Sequence, residues 1–225
     1  MEELKHLLSI SLGFFCKTRF LLGEEEKPEM KQSQTRLIAK IAVLGAIAFV
    51  LMLIEFPLPF VPPFYKLDFS EVAVMIGGFA LGWFPAVAIE ALKIILKTIF
   101  SGTNTAYVGE AASFLIGISY AVPAALIYAK RKSKQNAVKG LCIGSVCMII
   151  AGLLLNAFVL LPAYSYFYHM PMDALIGMGT ALVPLIKDRF TFVLFATTPF
   201  NIVKSILVSL VTMLLYKRIS PILHR

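Results

Sequence analysis

Apolar positions in this chain fall into long runs separated by short polar or proline-rich breaks. The first firm run covers residues 37–55 and stops at Phe56-Pro57-Leu58-Pro59. A proline-rich loop over 56–64 leads through Tyr65-Lys66-Leu67-Asp68-Phe69 to a second run at 70–82. Ser70 has the chemistry of an N-cap for that helix, and Glu71 falls in its first turn, where the helix dipole favours an acid. Gly77-Gly78 predicts close approach of a neighbouring backbone. Trp83-Phe84-Pro85 predicts a tight connection, with Pro85 opening a third helix that runs to about 100. The segment 101–105, Ser-Gly-Thr-Asn-Thr, is a loop by its turn chemistry. A fourth helix is expected over 110–129 and a fifth over 140–161, stopped by Pro162. A longer loop at 162–188, with Tyr164, Tyr166, Tyr168 and His169, leaves room for a short helix. The last run is 189–216, with Pro199 inside it. The pattern predicts an all-α integral membrane protein of six helices, since a bilayer crossing takes about 20 apolar residues.

Composition fixes the solvent these helices face. The chain is 59% apolar and 15% charged, with a mean hydropathy of +0.82. A soluble domain carries about 25% charged residues, and no soluble core of this size absorbs so many apolar side chains. The net charge of +8 does not read as a nucleic-acid footprint, because the lysines and arginines sit in short segments flanking apolar runs. These are Lys31/Arg36/Lys40, the linker at 130–139, and Lys217-Arg218 with Arg225. With the N-terminus, that linker and the C-terminus all cytoplasmic, four spans precede the linker and two follow it. The loops at 56–64, 101–109 and 162–188 then gather outside, where binding residues tend to sit on a rigid scaffold.

Residues 1–30 read as an N-terminal extension of unknown role, and 31–225 as a single membrane domain. The apolar stretch 7–15 is too short to span a bilayer and lacks a signal-peptide cleavage site. It fits an interfacial helix or an upstream start, since Met30-Lys31-Gln32 reads as a natural beginning. Cys16, Cys142 and Cys147 form neither a C-x-x-C pair nor a disulfide framework. The sequence holds no P-loop, metal constellation or nucleophile elbow. An enzyme or a stand-alone channel is therefore disfavoured, and no cofactor or metal is expected.

Polar groups within the runs carry the candidate chemistry, because charges there are costly. Glu90 and Lys93 lie three apart on one helical face and are expected to pair. Lys97, near a helix end, is expected to snorkel to the interface. Asn156, taken alone, reads as an interhelical hydrogen bond worth about 0.6 kcal/mol. Asn201 and Lys204 sit one turn apart just after Thr197-Thr198-Pro199-Phe200. Pro199 removes a backbone donor and loosens the helix at that depth. An amide beside an ammonium, with no acid on that face, suits a neutral polar ligand better than an ion path.

Several motifs together resemble the riboflavin-specific S component of energy-coupling-factor (ECF) transporters. They are Lys66-Leu67-Asp68-Phe69-Ser70-Glu71, the run Gly77-Gly78-Phe79-Ala80-Leu81-Gly82, Val108-Gly109-Glu110 with Phe114-Leu115-Ile116-Gly117, and Pro199-Phe200-Asn201-Ile202-Val203-Lys204. The likeness covers about residues 31–218. It implies a six-helix subunit of the bacterial plasma membrane that captures the vitamin outside and docks on a membrane T component served by two ATP-binding A subunits. Ligand contacts are implied from Glu110, Asn156, Asn201, Lys204 and the backbone around Leu67. FMN or FAD would be related ligands. Ala42 and Ala46 match an Ala-x-x-x-Ala surface for docking on the T component, with packing inside the bundle as the alternative. One departure is Ser113, in Gly109-Glu110-Ala111-Ala112-Ser113-Phe114, where the family pattern has an asparagine.

The flavin chemistry agrees with these residues. The pyrimidine edge of isoalloxazine sets carbonyl acceptors beside an N–H donor, which an Asn amide complements and a Lys ammonium partly serves. The ribityl hydroxyls call for Glu110 and loop backbone, and the dimethylbenzene end for aromatic cover from Phe64, Tyr65 or Tyr164. An S component for another vitamin, such as pantothenate or folate, is the competing reading.

Overall fold

The computed structural model describes residues 28–223 apart from 60, 63–64, 104–106 and 168. Residues 1–27 of the extension and Phe64 lie outside the described residues. The chain forms two compact units, Met1–Ala39 and Lys40–Arg225. Helix α1 (Pro28–Leu53) runs through the boundary between them. Apart from the first turns of that helix, the features below lie in the second unit.

The proline-rich loop is more ordered than its composition suggests. Strand β1 (Phe56–Pro57) pairs antiparallel with β2 (Lys66–Leu67), Phe56 opposite Leu67 and Pro57 opposite Lys66. Helix α2 (Ser70–Leu81) follows. Ser70 is its first residue and not its cap. The Asp68 carboxylate, two residues earlier, accepts from the Ser70 backbone N–H at 2.9 Å and also from the Ser70 hydroxyl. An aspartate satisfies the orphan amides of a helix start as well as a serine does, so the capping role moves by two positions.

Gly82, at φ 105°, turns the chain into α3 (Trp83–Ser101). At Gly77 the close neighbour is a side chain and not a backbone. A Cβ there would lie 2.2 Å from Ile89 Cδ1, so the tip of Ile89 on α3 packs against the bare glycine of α2. Helix α4 (Val108–Lys130) and α5 (Lys134–Leu155) enclose the basic linker, where the Ser133 side chain accepts from the Asn136 N–H.

Helix α5 does not end at Pro162. It passes through a π-helical turn at Asn156–Leu160 into α6 (Leu161–Phe167). A short α7 (Met172–Thr180) fills the expected loop. Helix α8 (Arg189–Phe192) opens on an Asp188–Thr191 capping box and passes through a second π turn at Val193–Thr197 into α9 (Thr198–Leu223). In both places the residue closing the π turn, Leu161 or Thr198, immediately precedes a proline. The wider turn relaxes the ladder where the proline ring would clash with the preceding turn. The helix is therefore re-formed and not broken.

Among the described residues, four helical segments are long and apolar enough to cross a membrane: Gln34–Leu53, Val108–Lys130, Lys134–Phe167 and Arg189–Tyr216. The remaining two differ from the expected spans. α2 has 12 residues and rises only about 18 Å. α3 has the length but carries Glu90, Lys93 and Lys97. Two apolar clusters hold the second unit together. One joins Leu44 and Ala48 of α1 to Met75, Ile89, Tyr120, Met148 and Val208. The other joins Val61, Tyr65 and Leu67 to Leu161, Ile186, Phe192 and Phe200.

Candidate functional site

A cavity of about 500 Å³ draws its wall from both clusters, Met148 from the first and Tyr65 and Phe200 from the second. That volume falls within the range of about 300–1,000 Å³ usual for small-molecule sites. Glu110, Asn156, Asn201 and Lys204 all line it. Four residues from three separate helical runs, singled out by sequence, are thus brought to one space. Leu67 differs. Its side chain is buried in the second cluster, while its neighbours Lys66 and Asp68 line the cavity. Ser113 also lines the wall, as does Tyr164 from α6. Ala42 and Ala46 lie elsewhere, exposed on α1.

Other cavity residues carried no binding role in the sequence reading. Asp68 is the most consequential. Its carboxylate meets Lys204 Nζ at 2.9 Å across 136 residues of sequence. The acid absent from the face of α9 is supplied by the β2–α2 corner. Burial alone would raise the Asp68 carboxyl. The ammoniums of Lys204 and Lys93 and the hydrogen bonds from Ser70 outweigh it and hold the group well below the usual carboxylate range.

The Glu90–Lys93 pair forms as expected, at 2.7 Å, but has a third member. Glu71 Oε1 of α2 accepts from Lys93 Nζ at 2.9 Å. All three side chains are buried. Gly117 of α4 faces the triad, and a Cβ there would lie 2.3 Å from Glu90 Oε1. Lys97, one turn beyond Lys93 on the same face, also lines the cavity. The lining cations Lys66, Lys93, Lys97 and Lys204 match in number the acids Glu55, Asp68, Glu71 and Glu110. The wall is formally neutral.

The amides are held differently. Asn156 Oδ1 accepts from the Tyr65 hydroxyl at 2.6 Å, and Asn156 Nδ2 donates to the Gly152 carbonyl at 2.7 Å. Burial pushes the Tyr65 phenol above its ordinary range, so it remains a donor. Its ring lies 5.3 Å from that of Phe200. Asn201 Nδ2 sits where a Cβ on Gly152 would come within 2.3 Å of it. It is buried with no hydrogen-bond partner among the described residues. A buried donor left without a partner costs about 1–3 kcal/mol. Glu110 Oε2 accepts from the Thr103 hydroxyl at 3.0 Å.

The sequence matches a known family. The family described as ECF transporter, substrate-specific component, fits residues 36–216. The chain belongs to that family. Among relatives of this S component, the riboflavin transporter RibU of Staphylococcus aureus (strain TCH60) is 34% identical, the match covering 88% of this chain and 97% of that one. The riboflavin transporter FmnP of Bacillus subtilis (strain 168) is 32% identical over 84% of this chain and 94% of that one. A solved S component of a bacterial ECF transporter superposes with a TM-score of 0.66 at 35% identity, covering 85% of this chain and 99% of its own. This S component is therefore a membrane transport subunit and not an enzyme.

Proposed function

We propose that this chain captures riboflavin in the cavity between the two apolar clusters and delivers it to an ECF transporter. The observation that carries the reading is the convergence of Glu110, Asn156, Asn201 and Lys204 on one cavity with a wall of balanced charge. A neutral, polar, largely aromatic ligand suits such a wall, whereas pantothenate and folate bring carboxylates that it does not favour. The named relatives are riboflavin transporters, which weighs the same way.

In this reading Asn201 and Lys204 meet the pyrimidine edge, with Lys204 aimed by Asp68. Asn156 adds a second amide. Glu110 and the backbone beside Leu67 take the ribityl hydroxyls, and Tyr164 and Phe200 cover the rings. In a fluorescence-quenching titration, Asn201→Ala weakens riboflavin binding by roughly tenfold to a hundredfold. That is the worth of one or two hydrogen bonds with a buried partner stranded. An affinity equal to wild type would put the pocket elsewhere.

The finer architecture is six membrane helices, with α2 and α3 completing the set and both termini cytoplasmic. The Lys/Arg distribution supports this. A cysteine at Ser133 then reacts with a membrane-impermeant thiol reagent only from the cytoplasm, and one at Thr103 only from outside, in a background lacking the native cysteines. Outside labelling at Ser133 would reverse the topology. Ala42 and Ala46, exposed on α1, form the proposed contact with the T component, whose two A subunits supply ATP hydrolysis.

A further inference from the structure

Tyr65 belongs to the loop between β1 and β2, yet its hydroxyl ends between the two π turns. It donates to Asn156 Oδ1 at 2.6 Å and lies 2.7 Å from Thr197 Oγ1. A phenol has one hydrogen, so with that hydrogen on Asn156 the Thr197 hydroxyl is the donor in the second bond. Asn156 is the first residue of one π turn and Thr197 the last of the other. The chain of donors thus runs from Thr197 to Tyr65 to Asn156, and on from Asn156 Nδ2 to the Gly152 carbonyl at 2.7 Å.

This holds the Asn156 amide at both ends. Turning it over would set its carbonyl against that of Gly152 and lose that bond. The Tyr65 hydroxyl would also have to give up its donation to Asn156, turn its hydrogen to Thr197 and accept from the amide instead. Held as it is, the amide keeps one N–H and one oxygen lone pair for other use.

We propose that Tyr65 is a positioning residue for ligand recognition: its hydroxyl, backed by Thr197, sets the direction in which Asn156 offers its remaining donor and acceptor to the cavity. The inference rests on the riboflavin reading, which supplies an edge with acceptors and a donor for that amide to meet. Tyr65 acts through Asn156, and this separates it from a residue that merely packs the loop or touches the ring.

The test is a double-mutant cycle on the purified full-length protein, with Kd for riboflavin read by fluorescence quenching. Tyr65→Phe keeps the ring and removes the hydroxyl. It raises Kd roughly fivefold to tenfold, the worth of a lost orienting hydrogen bond. In an Asn156→Ala background the same substitution changes Kd by less than about twofold, because nothing remains to position. Asn156→Ser provides a second background, and Thr197→Val reproduces a smaller loss that also vanishes in both. A Tyr65→Phe loss that persists undiminished in these backgrounds overturns the proposal, as does no loss in the wild-type background. Absence of quenching by the wild-type protein overturns the riboflavin reading and this inference with it, so the two failures are told apart.

Discussion

Ala46→Trp leaves riboflavin binding by the isolated subunit unchanged and abolishes most vitamin uptake by cells that carry the T and A components. Ala42 and Ala46 are exposed on α1, while Leu44 and Ala48 on its other side are buried in the first apolar cluster. Residues four apart stack on one helical face, and small side chains there let a second membrane helix approach closely. An indole at 46 holds the partner away without entering the cavity, whose wall starts at Met52 on this helix. Each loss of about 1.4 kcal/mol of association lowers complex formation tenfold, so an uptake defect of more than about tenfold is expected. The check is both quantities on one variant. A parallel loss of binding would mean that Ala46 packs inward, and normal uptake would mean that docking uses another face.

The largest stability effect is expected at Lys93. Lys93→Met removes the cation from between Glu71 and Glu90, which face it at 2.9 and 2.7 Å. Two buried carboxylates are left without it, and Glu71 Oε2 and Glu90 Oε1 already lack hydrogen-bond partners among the described residues. Removing one partner of a buried ion pair typically costs about 3–5 kcal/mol. The loss is read as a shift in the denaturant midpoint of the protein in detergent. Replacing all three charges together, as Lys93→Met with Glu71→Gln and Glu90→Gln, recovers much of that loss because no charge is then left unpaired. A single substitution costing under about 1 kcal/mol would show that the triad does not hold α2 against α3.

How much of this was legible in the sequence depends on the range of each interaction. The apolar runs and the Glu90–Lys93 pair are set within one helix. Their spacing announces them. The cluster of Glu110, Asn156, Asn201 and Lys204 was legible through motif resemblance, which carries tertiary information that composition does not. The Asp68–Lys204 pair was not, since 136 residues separate the partners. No local pattern distinguishes an acid that caps α2 from one that also reaches α9.

Proline was legible in one case and misleading in the other. The sequence predicts that Pro199 loosens its helix, and a π turn precedes it. It predicts a stop at Pro162, whereas the same device carries the helix past it. Leu161-Pro162 and Thr198-Pro199 look unlike in sequence, so their common backbone solution emerges only in three dimensions. In the sequence Tyr65 is a candidate for ring cover. Its hydroxyl proves equally engaged, because the loop delivers it to two helices whose polar residues lie 91 and 132 positions away.

The most direct test of the central claim is a fluorescence titration of the purified full-length protein with riboflavin, alongside competition by pantothenate and by folate. The account predicts saturable quenching at one riboflavin per chain, with neither competitor displacing it. Saturable binding of pantothenate or folate in place of riboflavin, with no flavin quenching, would contradict it.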